Sequence, residues 1–244
     1  MLRRYESRSP VCDTERLLEF VVLFAARLCK SLRYGLRPRR IALLVDCPGG
    51  HVYPGCMARP LSDEKRSSLL RAATRVIVTQ GLGAQTAVIA REAGVASGSL
   101  FTYFETKKVL FNELYLELKA EMASAALENR PRNASLRKQL FSVWSNWMHW
   151  VISDPHKRRA LAQLSVSEEI TPETRVLSHK PMAGIAELLE RCRAAGPMRE
   201  ASMSFVLSVM NSLAETTMDF MLQDPTNAER HCQVGFDALW RVLK

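Results

Sequence analysis

The chain has no run of about 18 uninterrupted apolar residues, the length a membrane-spanning helix needs. Its closest approach, Leu17 to Leu28, is cut by Glu19 and Arg27, and it starts too late and too acidic for a secretory signal. A cytoplasmic protein is expected. The six cysteines, Cys12, Cys29, Cys47, Cys56, Cys192 and Cys232, have no repeated spacing, which fits reduced thiols better than a disulfide framework. A Gly-rich phosphate loop, a nucleophile elbow and a His-Glu-x-x-His pair are all missing, and the five histidines, His51, His149, His156, His179 and His231, are dispersed. Neither an enzyme nor a cofactor is expected. Cys47, His51 and Cys56 suggest part of a zinc site, but a fourth ligand at suitable spacing is lacking, so no metal is assigned. Beyond residue 61 there is no period-2 strand pattern, which makes the fold class all-α.

What is present is enough for a core: 244 residues, 47% of them hydrophobic, suit one large or two modest domains. The net charge of +9 is concentrated in the first half of the chain, while residues 113–244 hold equal numbers of each sign. Surplus Lys and Arg point to a polyanionic partner, because they displace the counterions of phosphates. Residues 1–60 read as a basic, poorly ordered extension. A helix over Leu17–Leu32 and a strand over Ile41–Val45 would each stand alone there, before Pro48, Gly49, Gly50, Pro54, Gly55 and Pro60 break the chain. Two readings stay open for this segment, a basic arm or a start of the working protein at Met57.

From Ser62 the signals are helical. Ser62 caps a helix with Asp63 and Glu64 in its positive first turn and Leu69, Ala73, Val76 and Ile77 on its inner face; Gln80-Gly81-Leu82-Gly83 stops it. Thr86–Ala93 forms a short helix closed by Gly94, and Ser97–Tyr103 forms another. Thr106 caps a longer helix to about Glu128, with Leu110, Leu114, Leu118 and Met122 at four-residue spacing. An N-cap followed by proline recurs at Asp154-Pro155, Thr171-Pro172 and Asp224-Pro225. Helices are therefore expected near 135–153, 155–167, 172–195, 198–223 and 225–243, about nine in all, with a kink at Pro181.

The stretch Thr86–Lys107 is the most informative. Two short helices meet at a turn built on Gly94, with Ile89, Ala90, Val95, Leu100 and Phe104 as buried positions, and the second helix is rich in hydroxyls. An ordinary helical hairpin would not require a short, hydroxyl-rich second helix flanked by Lys107 and Lys108. Gly81, Ile89-Ala90, Ala93-Gly94-Val95, Gly98-Ser99-Leu100-Phe101, Tyr103-Phe104, Thr106 and Lys107, in that order and spacing, resemble the DNA-binding domain of TetR-family bacterial regulators. Two residues depart from the family pattern: Ala96 replaces the usual Ser/Thr before the second helix, and Phe101 replaces the usual tyrosine.

The resemblance implies a three-helix helix-turn-helix DNA-binding domain over residues 61–112 and a larger helical ligand-binding and dimerisation domain over 113–244. It implies phosphate contacts from Thr86, Tyr103 and Lys107, with Ser97, Ser99 and Thr102 nearest the bases. Lys65 and Arg66 could add backbone charge or simply form a solvated face. It also implies a repressor that binds a palindromic operator as a homodimer and is released by a small-molecule inducer, the two recognition helices lying about 34–36 Å apart. The alternative is an architectural or partner-controlled DNA-binding protein without an inducer.

For pairing, the last two helices offer Val206, Val209, Met210, Leu213, Phe220 and Met221, and Cys232, Phe236, Leu239, Trp240 and Leu243, all of which equally suit the monomer core. For a ligand, Trp144, Trp147, Met148 and Val151 share a helix face near Asn146 and His149, with Met182 and Phe205 as opposing residues. A Trp/Met stripe at this spacing is more often plain core.

Overall fold

The computed structural model describes residues 62–244. The expectations for the basic extension over 1–60 and for Cys47, His51 and Cys56 lie outside the described residues. All described secondary structure is helical.

Helix α1, Asp63–Gln80, begins where expected: the Ser62 hydroxyl accepts from the Lys65 amide. It ends at Gly81, whose φ of +75° lies in the left-handed region that glycine enters without strain. Helix α2, Thr86–Glu92, and helix α3, Ser97–Tyr103, are joined through Gly94 at φ +70°. Ala96 offers no side-chain cap to α3, so the opening turn is closed by the Ser99 amide donating to the Ala96 carbonyl at 2.9 Å. Thr106 caps helix α4, Lys107–Leu127, through the Val109 amide.

Helix α5, Leu136–Ser153, is the hub of the second half, packed against α4, α6 (Pro155–Ser165), α8 (Ala183–Arg193), α9 (Met203–Gln223) and α10 (Ala228–Leu243). Trp144, 2% exposed, lies on its inner face and donates its indole N–H to the Cys232 carbonyl of α10 at 3.0 Å, giving a large apolar group a satisfied polar end. Helices α9 and α10 approach very closely at Gly235. A Cβ there would fall 2.1 Å from Thr217 Oγ1.

The segment 172–195 is not one kinked helix. It divides into α7, Pro172–Leu177, a 3-10 turn over Lys180–Met182, and α8. Proline donates no backbone hydrogen bond and crowds the preceding turn, so the α-helix stops ahead of Pro181 and restarts after it. Likewise α9 starts at Met203, capped by the Ser202 hydroxyl, and not near 198. Buried Arg193 accounts for the gap: its guanidinium donates to the Met198, Arg199 and Ala201 carbonyls, holding 198–201 in turns. No described helix is long and apolar enough to cross a membrane.

Candidate nucleic-acid interface and sensing cavity

Helix α3 is fixed from beneath. Leu100 and Phe104 are fully buried against α1 and α2, and the Tyr103 hydroxyl accepts from the Ser62 backbone N–H at 3.3 Å, tying α3 to the start of α1. Its opposite side is open, with Ser97, Gly98, Phe101 and Thr102 exposed and Ser99 half-buried at the edge. A short helix that cannot roll, presenting hydroxyls across a tight turn from a supporting helix, is a helix-turn-helix DNA-binding module.

The other residues expected at DNA divide. Lys65 is exposed, Thr86 is half-buried at the first turn of α2, and Lys107 opens α4 with its ammonium 5.3 Å from the Phe111 ring centroid. Arg66 is not a free backbone cation. It pairs with Glu113 and Glu117 of α4 and lies over the Phe104 ring at 5.7 Å, so its charge joins α1 to α4. Burial alone would lower its pKa, but the two carboxylates raise it overall. Sequence spacing could not show this, because the partners lie about fifty positions away.

Besides the Arg66 pairs, two contacts connect this module to the second half. Helix α6 packs against both α1 and α4. At the first turns of α4, Asn112 donates to the Lys108 and Glu169 carbonyls, each at 2.7 Å, and its amide oxygen accepts from the Thr171 N–H at 3.0 Å. The segment between α6 and α7 is thereby held to α4, and Arg175 of α7 secures it from the other side through the Ser165 and Ser167 carbonyls. No sequence pattern signals Asn112.

Between α4, α5, α6, α8 and α9 lies a cavity of about 440 Å³, within the usual size of small-molecule sites. Trp144, Trp147, Val151 and Met182 line it, as do Trp150, Met122, Met210 and Met218. Two of the expected residues fall elsewhere. Met148 is fully buried in the core away from the lining, and Phe205 is 55% exposed on the outer side of α9, because each occupies the turn of its helix that faces away from the chamber. Asn146 instead donates to the Glu128 carbonyl at 2.8 Å, and His149 pairs with Glu229.

The polar lining comprises Lys119, Arg158, Ser165, His179, Asn211 and Glu215. Arg158 is bound to Glu215 and, at 2.7 Å, to Asp219. Burial disfavours its charge, but the two carboxylates outweigh that and raise its pKa. Among the described residues no buried side-chain nitrogen or oxygen lacks a hydrogen bond. The arginine and the methionines of α9 carried no sequence signal that set them apart from surface and core.

Much of the pairing face expected on α9 and α10 belongs to the monomer: Val206, Met210, Met221, Cys232, Phe236, Leu239 and Leu243 are all buried within it. Phe220 does face outward at 51% exposure, and Val209, Leu213 and Trp240 are partly covered. Phe205 and Val234 join them on the outside.

Residues 69–114 match the family model for bacterial regulatory proteins of the tetR family. Over 88 residues the chain is 31% identical to YhgD of Bacillus subtilis strain 168, described as an uncharacterized HTH-type transcriptional regulator. That stretch is 34% of this chain and 46% of YhgD, so the match spans less than half the relative's length. The structure of a tetR family transcription regulator from Shewanella sp. PV-4 aligns with 72% of this chain and 96% of its own, at 27% identity and a TM-score of 0.66. The TetR-like regulator LfrR of Mycobacterium smegmatis, solved with proflavine, shares the fold at 17% identity and a TM-score of 0.55, over 72% of this chain and 95% of LfrR. Residues 69–114 thus carry the DNA-binding signature of tetR family regulators, and the described fold as a whole is similar to theirs.

Proposed function

We propose that the protein is a cytoplasmic transcriptional regulator that binds a palindromic operator as a homodimer and leaves it when a small molecule enters the cavity, with residues 62–112 as the DNA-binding part and 113–244 as the sensing and pairing part. The observation that carries the proposal is the open face of α3, fixed from below by Leu100, Phe104 and Tyr103. Steric occlusion of a promoter, hence repression, is the simplest outcome of such binding.

The ligand is mainly apolar and at least partly aromatic. Tryptophan and methionine dominate the lining, the buried polar groups are already satisfied, and LfrR holds a planar aromatic molecule on the same fold. Pairing would cover Phe205 and Phe220, which a lone subunit leaves in water. The same apolar cavity disfavours the inducer-free alternative, since an architectural protein has no use for a cavity of ligand size.

Duplexes selected from random DNA provide the operator, and fluorescence anisotropy of the labelled operator follows binding. Tyr103→Ala with Lys107→Ala should abolish binding in a protein that still folds and dimerises. Full binding by that variant refutes the assignment, and a failure of every aromatic or lipophilic compound in a broad panel to release the DNA refutes the sensing half.

A further inference from the structure

The open face of α3 has an unusual chemical inventory. Between Ser97 and Tyr103 there is no Arg, Lys, Asn or Gln. Those are the side chains that read guanine or adenine by paired hydrogen bonds in the major groove. What α3 offers instead is the hydroxyls of Ser97, Ser99 and Thr102, which donate or accept indifferently, and one large apolar group, Phe101, 49% exposed to water.

Phe101 has no role within the subunit that would explain its place. Leu100 and Phe104 already fill the space beneath the helix at 0% exposure. With Tyr103 tied to Ser62, α3 cannot rotate to bury it. At about 100° per residue, Ser97, Gly98, Phe101 and Thr102 share one outward arc, and Phe101 lies inside that arc, between Ser97 and Gly98. In the major groove one base edge presents an apolar surface, the C5 methyl of thymine.

We infer that Phe101 is a specificity-determining residue that reads a thymine methyl in each operator half-site, with the Thr102 methyl beside it. This rests on the DNA-binding reading above. Burying one methyl-sized group is worth about fourfold in affinity, so loss of the methyl from both half-sites costs about fifteenfold.

The test uses the full chain and a duplex selected from random DNA. Each thymine of the half-site is replaced in turn by uracil, which removes the C5 methyl and keeps every hydrogen-bonding group. Uracil at one position should weaken binding by about fourfold per half-site and be nearly silent elsewhere. Phe101→Ala, an exposed change that the fold tolerates, should bind thymine and uracil duplexes equally. Equal binding of thymine and uracil duplexes by the parent overturns the inference, as does a thymine preference that survives in Phe101→Ala; in either case selection of a duplex leaves the DNA-binding reading standing. If no duplex is selected at all, both fall.

Discussion

Gly235→Ala is the sharpest probe of how α9 and α10 meet. In isolation the change favours the helix, since alanine is better than glycine in a helix interior by about 1 kcal/mol. Here the new Cβ would lie 2.1 Å from Thr217 Oγ1, 3.0 Å from its Cγ2 and 3.1 Å from its Cβ. Thr217 cannot simply swing aside. It is branched at Cβ, buried to 6% exposure, and its hydroxyl donates to the Leu213 carbonyl at 2.7 Å. Overpacking of this kind costs about 1–3 kcal/mol, and so close a contact belongs in the upper part of that range. After the propensity gain, a net loss of about 1–2 kcal/mol is expected. Urea unfolding at a single protomer concentration measures it, because the proposed pairing would make apparent stability concentration-dependent. Thr217→Ala removes Oγ1 and Cγ2, so the double variant should recover most of the loss, with a coupling of at least about 1 kcal/mol. A Gly235→Ala protein as stable as its parent, or effects that simply add, would refute the close approach.

Three further outcomes follow from side-chain contacts. Burial acts to lower the His149 pKa, but hydrogen bonding to the Ser145 carbonyl and the Glu229 carboxylate reverses this and raises it above 6.5. The stabilisation is then complete below that ordinary value and fades as pH rises through the raised one. The stability gap between the parent and His149→Ala should narrow from pH 5.5 to pH 8.5, and a gap that widens contradicts the assignment. Burial, reinforced by Glu229, pushes the Cys232 thiol up to about 11, and burial likewise raises Cys192. Neither should react with iodoacetamide in the native protein at pH 8, as peptide mass spectrometry would show, although both become reactive in urea. Asn112→Ala removes the acceptor of the Thr171 amide, which should exchange its hydrogen faster at a stability cost of about 1 kcal/mol. Unchanged exchange would mean that the α6–α7 segment is held by Arg175 alone.

The local grammar of the chain was legible. Ser62, Thr106, Asp154 and Thr171 cap helices where their positions suggested, because a cap is a contact over two or three residues. The α2–α3 turn was equally readable, since Gly94 at positive φ and the spacing of Ile89, Leu100 and Phe104 are set within some twenty residues. What escaped depends on partners far along the chain. Arg66 reads as a surface cation until Glu113 and Glu117 lie opposite it, and Asn112 reads as nothing until Glu169 and Thr171 arrive. The same distance effect assigned Met148 and Phe205 to the chamber. Helical periodicity gives the face of a residue on its own helix but not which neighbour that face meets.

The aromatic lining of the chamber has a practical consequence. Of the four tryptophans in the chain, Trp144, Trp147 and Trp150 line it, and Trp240 lies outside it, partly exposed on α10. The protein therefore carries its own optical reporter: a planar chromophore entering the chamber should quench or shift the emission of three indoles together. In a Trp240→Phe background nearly all of the remaining signal would come from the chamber, so compounds can be ranked for occupancy with no label and no DNA present.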